Sequence, residues 1–169
     1  MKVAKITLLI TSLVVLLLFY LSNRMTVSPV TISGNGNPAL IVVAILLPMF
    51  FLMVILWVRI LKVHSISKRF YIVGIILTFV HLILAFIYQR ISLTNYRDVI
   101  KDALIEKNGE VDDQYVQSIT TVLDIHVNNQ YFNINTFFMF ISLSIFIALV
   151  VFYLLDSQEE KIENKDVQE

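Results

Sequence analysis

Residues 39–61 read ALIVVAILLPMFFLMVILWVRIL. Arg59, near the end, is the only charged side chain in the stretch. A helix needs about 20 apolar residues to cross a bilayer's hydrocarbon core, so this segment is long enough to span by itself. Three more apolar blocks flank it: Ile6–Leu21, Tyr71–Tyr88 and Thr136–Leu155, none containing Asp, Glu, Lys or Arg. Two of them qualify directly. The block at Ile6–Leu21 is short, and reaches spanning length if Val3–Lys5 extend it and Lys2 and Lys5 reach back to the interface. It has the basic start of a signal peptide, but no small-x-small pattern follows at Leu21-Ser22-Asn23-Arg24, so an uncleaved span is expected. Trp57, Tyr20, Tyr71, Tyr88 and Tyr153 lie near block ends, where amphipathic rings favour the headgroup level.

Composition agrees. Hydrophobic residues form 57% of the 169-residue chain and charged residues 15%, against about 45–50% and about 25% in soluble domains. Thirteen basic and 13 acidic residues cancel, so no bulk field favours nucleic acid. With no cysteine, disulfide frameworks, thiolate metal sites and cysteine nucleophiles are excluded. The expected fold is an all-α integral membrane protein. It has four transmembrane helices and a two-helix extracytoplasmic hairpin between the third and fourth. Residues 1–155 form the transmembrane domain, including the hairpin at about 89–135, and residues 156–169 form an acidic cytoplasmic tail.

Four spans place both termini on one side. Lys2 and Lys5 precede the first span, and Arg59, Lys62, Lys68 and Arg69 surround the short connection between the second and third. The connection Ser22–Pro38 carries only Arg24. The positive-inside rule therefore predicts N- and C-termini in the cytoplasm. Arg90, Arg97, Lys101 and Lys107 lie in the long third connection, where charge counts less. Abundant Ile, Lys and Asn without cysteine suit a bacterial plasma membrane.

The loop Ser33-Gly34-Asn35-Gly36-Asn37-Pro38 has turn chemistry. It lacks the Lys-Ser/Thr that follows a phosphate-binding loop. In the third connection Tyr96, Val99, Ile100, Ala103 and Leu104 repeat at helical spacing. Asn108-Gly109 supplies a stop, and Asp112 or Asp113 a cap for a second helix. The apolar face of that second helix would run from Tyr115 or Val116 through Ile119, Val122 and Leu123 to His126 or Val127. Such faces require a surface. Either the two helices cover each other, or Tyr96, Val99, Ile100, Ala103, Leu104, Ile119 and Leu123 form a partner-docking face. The tail Asp156–Glu169 carries six acidic residues against Lys161 and Lys165 and reads as a solvated extension.

Polar side chains inside spans are costly and so are functional candidates. Thr7, Thr11 and Ser12 lie in the first span, Thr136, Ser142 and Ser144 in the fourth. In the third, Tyr71, Gly74, Thr78, His81, Ala85 and Tyr88 follow spacings of 3, 4, 3, 4 and 3. This is a stripe of small and hydrogen-bonding residues, expected to form a helix–helix interface. Thr7, Thr11 and Ser142 would face it. His81, near mid-span, is expected as a neutral imidazole hydrogen-bonded across that interface. No carboxylate lies in any span to pair with it, and His64 and His126 are expected on opposite sides of the membrane. Pro48 is expected to kink or loosen the second span.

No catalytic or metal-binding motif is present, so no enzyme activity and no cofactor are expected. Membrane disulfide-forming oxidoreductases need cysteines, and small four-span drug exporters need a membrane-embedded acid; both are missing. In layout alone, four spans with a larger second outer connection, the chain resembles tetraspanin-like and claudin-like membrane organisers, without their outer-loop cysteines. The expected function is binding. The chain would be an accessory, regulatory, assembly or immunity-type protein that engages another membrane protein, its partners being lipid and a membrane protein or a second copy. The alternative is an oligomeric transporter or channel with His81 and Pro48 in the pathway.

Overall fold

The computed structural model describes residues 1–31, 36–63, 67–122 and 124–166. His64, Leu123 and the Ser33–Asn35 part of the first outer connection lie outside the described residues. The chain is helical: α1 (Lys2–Arg24), α2 (Ala39–Val63), α3 (Lys68–Asn108), α4 (Asp113–Ser118), a 3₁₀ turn at Ile125–Val127, α5 (Asn128–Tyr131) and α6 (Ile134–Asp166). Four helices are long and apolar enough to cross a membrane: Lys2–Arg24, Ala39–Val63, Lys68–Asn108 and, within α6, Ile134–Ser157. Their positions match the four apolar blocks; α1, α3 and α6 extend past both block ends, and α2 past its second end only, by Lys62 and Val63.

The spans pack unevenly. The buried side chains of α1, Ala4, Leu8, Thr11, Val15, Phe19 and Ser22, recur every three or four residues, and Ala4, Leu8, Val15 and Phe19 share one core with Val42, Leu46, Met53 and Leu56 of α2. This is the spacing that lets two helices interlock over their length. α6 lies against both α2 and α3. At the outer end Phe19 meets Phe132, Phe137 and Phe140 edge-on, with ring centroids 5.6–5.9 Å apart, and Phe140 also meets Phe50 at 5.3 Å. α2 runs unbroken through Pro48, whose ring lies on an exposed face.

At the level of the spans α3 is held by α6 and forms no seam with α1 or α2 among the described residues. Only 11% of its apolar window is buried, against 28% for α1 and for α2. The two helices come close at Gly74, where an added Cβ would lie 2.9 Å from Leu149 Cδ1. Tyr71 also packs on Phe152 there, centroids 4.9 Å apart.

Beyond Tyr88 the same helix continues without a break to Asn108. Gly109 stops it at φ 84°, its N–H donating to Ile105 O at 2.8 Å, as the Asn-Gly pair predicts. Asp112 caps α4, its carboxylate accepting from Gln114 N at 2.9 Å. The expected second long helix is not formed: α4 ends at Ser118. Thr120 turns its hydroxyl back onto Val116 O at 2.8 Å, and Arg97 donates to Thr120 Oγ1 at 3.0 Å. Local side-chain bonds of this kind compete with helix continuation. The expected hairpin is thus the free end of α3 covered by α4, the 3₁₀ turn and α5, around a second core of Leu93, Ile100, Leu104, Val116 and Val127. At the other end α6 continues as helix into the acidic tail as far as Asp166.

Candidate functional site

The long helices are joined by amides at the end beside α4 and α5. Asn133 caps α6 reciprocally: Thr136 N donates to Asn133 Oδ1 and Asn133 N to Thr136 Oγ1, both at 3.0 Å, the geometry of a capping box. Asn133 Nδ2 also reaches Gln130 O at 2.8 Å and Gln89 Oε1 at 3.3 Å. Asn135 Nδ2 donates to Ala85 O at 3.0 Å and to Gln89 Oε1 at 3.1 Å. Gln89 Nε2 donates to Gln130 O, and Ser92 Oγ to Gln130 Oε1 at 2.9 Å. On the other flank Asn23 Nδ2 donates to Phe132 O at 2.8 Å. Asn37 and Asn128 exchange bonds through their side-chain amides at 2.7 and 3.0 Å. Apart from the local bonds of Asn133 to Thr136 and Gln130, these bonds link segments distant in sequence, so the network fixes α1, α2 and α3 to the start of α6. A buried amide left unbonded is costly, which is why these partners are shared so fully.

His126 belongs to the same cap. It is buried, its Nδ1 against Asp124 Oδ1 and its Nε2 2.8 Å from Thr31 O. A carbonyl only accepts, so Nε2 donates to Thr31 and ties the first outer connection to the 3₁₀ turn. Tyr131 packs against both the core between the long helices and the second core beneath α4. Burial raises its phenol above the usual range, opposed by the positive charges of Arg97 and Arg90. Asp113 lies 2.7 Å from the Lys101 ammonium and raises its pKa by hydrogen bond and charge.

Beside this network a cleft of about 530 Å³ opens between α3 and α6. Its walls include His81, Tyr88 and Ser92 from α3, Asn129, Gln130 and Asn133 near the outer end, and Ile134, Asn135 and Phe138 from α6. A smaller apolar hollow of about 230 Å³ lies on the far side of Asn133 and Ile134, against Leu16, Phe19 and Tyr20 of α1. The outer-end amides are largely spent on one another. His81 and Tyr88 make no hydrogen bond among the described residues, and both are exposed.

The stripe on α3 is accordingly split. At about 100° per residue, Tyr71, Thr78 and Ala85 fall within about 40° of one another. Gly74, His81 and Tyr88 form a second ridge, rotated by about 60–100° from Tyr71. The first ridge faces α6: Tyr71 and Ala85 are buried and Thr78 is half-buried, its hydroxyl donating to Gly74 O at 2.7 Å. From the second ridge only Gly74 enters the contact with α6; His81 and Tyr88 turn into the cleft. The expected bond from His81 across that contact is absent among the described residues. Thr11 is buried within the packed stripe of α1, not beside the stripe of α3. Ser144 is also buried, its hydroxyl donating to Ile141 O at 2.7 Å.

The expected docking face is turned inward. Ile100 and Leu104 are buried in the second core, with Tyr96 and Ile119 packed against it and Ala103 half-buried; among the described residues of this set only Val99 stays exposed. The reason is physical: α4 and the 3₁₀ turn supply Val116 and Val127 as the apolar cover for Ile100 and Leu104. Among the described residues no group of three His, Asp or Glu side chains is placed to hold a metal ion. No protein-family model matches this chain, and no curated protein or solved structure is significantly similar to it.

Proposed function

We propose that this chain is a multi-pass plasma-membrane protein that acts by binding. It serves as an accessory, regulatory, assembly or immunity-type component that engages another membrane protein through the cleft between α3 and α6. Both termini are cytoplasmic in this reading, and the cap built on the outer end of α3 is extracytoplasmic, with lysines and arginines concentrated around the opposite ends of the spans. The supporting observation is the contrast within the cleft: its amides are committed to holding helices together, whereas His81 and Tyr88 are uncommitted. A helix that buries one face and offers polar groups on the next suits recognition inside a bilayer.

Catalysis has less support. The cleft contains no carboxylate and no nucleophile paired with a base. Transport has less support as well, because Pro48 does not line the cleft that contains His81. The test is in-membrane crosslinking of the full chain with a photoreactive residue at Phe138, on the cleft wall. A discrete protein adduct is expected; lipid adducts alone would remove the proposal.

A further inference from the structure

We infer that the occupant of the His81 cleft is a transmembrane helix of the partner, carrying a hydrogen-bonding side chain near mid-membrane. This rests on the binding role proposed above and names the partner's chemistry.

α3 begins at Lys68. A rise of about 1.5 Å per residue places Tyr88 about 30 Å along it, the thickness of the hydrocarbon core. His81 is seven residues earlier, about 10 Å beneath that boundary. Lipid headgroups at the boundary can satisfy Tyr88 without any built site. They do not reach His81, and acyl chains offer neither donor nor acceptor. An unpaired imidazole facing hydrocarbon is penalised. The imidazole makes no hydrogen bond among the described residues and lines an open cleft. A helix can carry a polar side chain to any depth, and in the membrane such polar contacts join helices.

The cleft's form fits this occupant. Ile134 and Phe138 of α6 give it an apolar wall, against which aliphatic side chains pack. His81 and Tyr88 lie on the same ridge two turns apart, so the partner helix is expected to present hydroxyl, amide or carboxyl groups about seven residues apart. Asn135, whose amide nitrogen is used internally, lines the same cleft.

The experiment uses the full chain in its native membrane, with p-benzoylphenylalanine at Phe138 and, as control, at Phe51, which is exposed on α2. The expected result is a discrete protein adduct at position 138 and not at 51, mapping to an apolar segment of another protein that contains a polar residue. His81→Leu should lower its yield about 3- to 30-fold, the range of one interhelical hydrogen bond. His81→Gln, which keeps donor and acceptor, should restore it. Melting of purified His81→Leu should equal wild type, because His81 makes no bond within the fold; this separates lost recognition from lost folding. An adduct that survives His81→Leu, or maps to an extramembrane segment, overturns the helix inference and leaves the binding role standing. An adduct to a second copy of this chain also overturns it. Lipid adducts alone overturn both.

Discussion

Gln89→Leu offers the sharpest test of how α3 is held. Leucine nearly matches glutamine in volume but offers no hydrogen bond. The change removes three bonds: Gln89 Nε2 to Gln130 O, and the two that Gln89 Oε1 accepts from Asn133 and Asn135. No group is orphaned. Asn133 Nδ2 keeps Gln130 O and Asn129 O, Asn135 Nδ2 keeps Ala85 O, and Gln130 O keeps Asn133. The cost is therefore three net bonds without a desolvation penalty. Side-chain hydrogen bonds in membrane proteins average about 0.6 kcal/mol, giving about 2 kcal/mol for the three. Asn135→Leu loses one of these three bonds, to Gln89 Oε1, together with the bond to Ala85 O, and should cost about 1 kcal/mol. Since Gln89 and Asn135 share one bond, the double variant should fall short of additivity by about 0.6 kcal/mol. The assay is unfolding in mixed detergent micelles followed by Trp57, the single tryptophan, which packs against the transmembrane core. Gln89→Leu indistinguishable from wild type, with a strictly additive double variant, would refute the claim that amides join α3 to α6.

Three further outcomes follow from the packing. Gly74→Ala should be close to neutral, since a helix-propensity gain of about 1 kcal/mol offsets displacement of the flexible Leu149 Cδ1, whereas Gly74→Ile should cost about 1–3 kcal/mol and be partly rescued by Leu149→Ala; detergent melting reads both. Ile100→Ala should cost about 2–5 kcal/mol and speed amide exchange across the outer cap, while the adjacent Val99→Ala stays within about 0.5 kcal/mol. For Tyr131, burial raises the folded pKa above the unfolded value of 10.0, so the unfolded state ionises first. Its stabilising contribution is complete below pH 10 and lost as pH rises through the folded value. Wild type should thus lose stability above pH 10 more steeply than Tyr131→Phe, with the Lys101–Asp113 pair adding loss in the same direction to both; parallel curves would contradict the burial of the phenol.

Much of the fold is legible because apolar length is a local property. The absence of charge from 39–58 and from the three other blocks is enough to mark helices of spanning length. Gly109 and Asp112 mark a helix stop and start through their own backbone and side-chain chemistry. The second outer helix is misread because periodicity counts apolar positions and ignores Thr120 and Arg97. Their bond depends on contact across 23 residues. The network at the outer end is half legible. Five amide residues stand within Asn128–Asn135, a dense cluster just before an apolar run, and Asn133 with Thr136 has capping-box spacing. What no local pattern reveals is that Asn23, Asn37 and Gln89 complete it, since those partners are met only after the spans have packed.

The α3 stripe shows why a sequence pattern can be sound and its reading incomplete. A 3.5-residue repeat stays on one face only if the helix supercoils around its neighbour; on a straight helix it drifts by about 20° per heptad. Among the described residues α3 packs extensively along its apolar length on α6 alone, which leaves uncovered the ridge that drifts away. Gly74 still meets Leu149, but His81 and Tyr88, one and two heptads later, emerge beside α6. The same drift that breaks the expected seam leaves these two polar side chains unspent. It also sets their spacing, and hence the register that a fifth helix must match to satisfy them. A helix with its hydrogen-bonding groups four or ten residues apart would bring one of them to the wrong face or depth, so the cleft discriminates among membrane helices by register as well as by polarity.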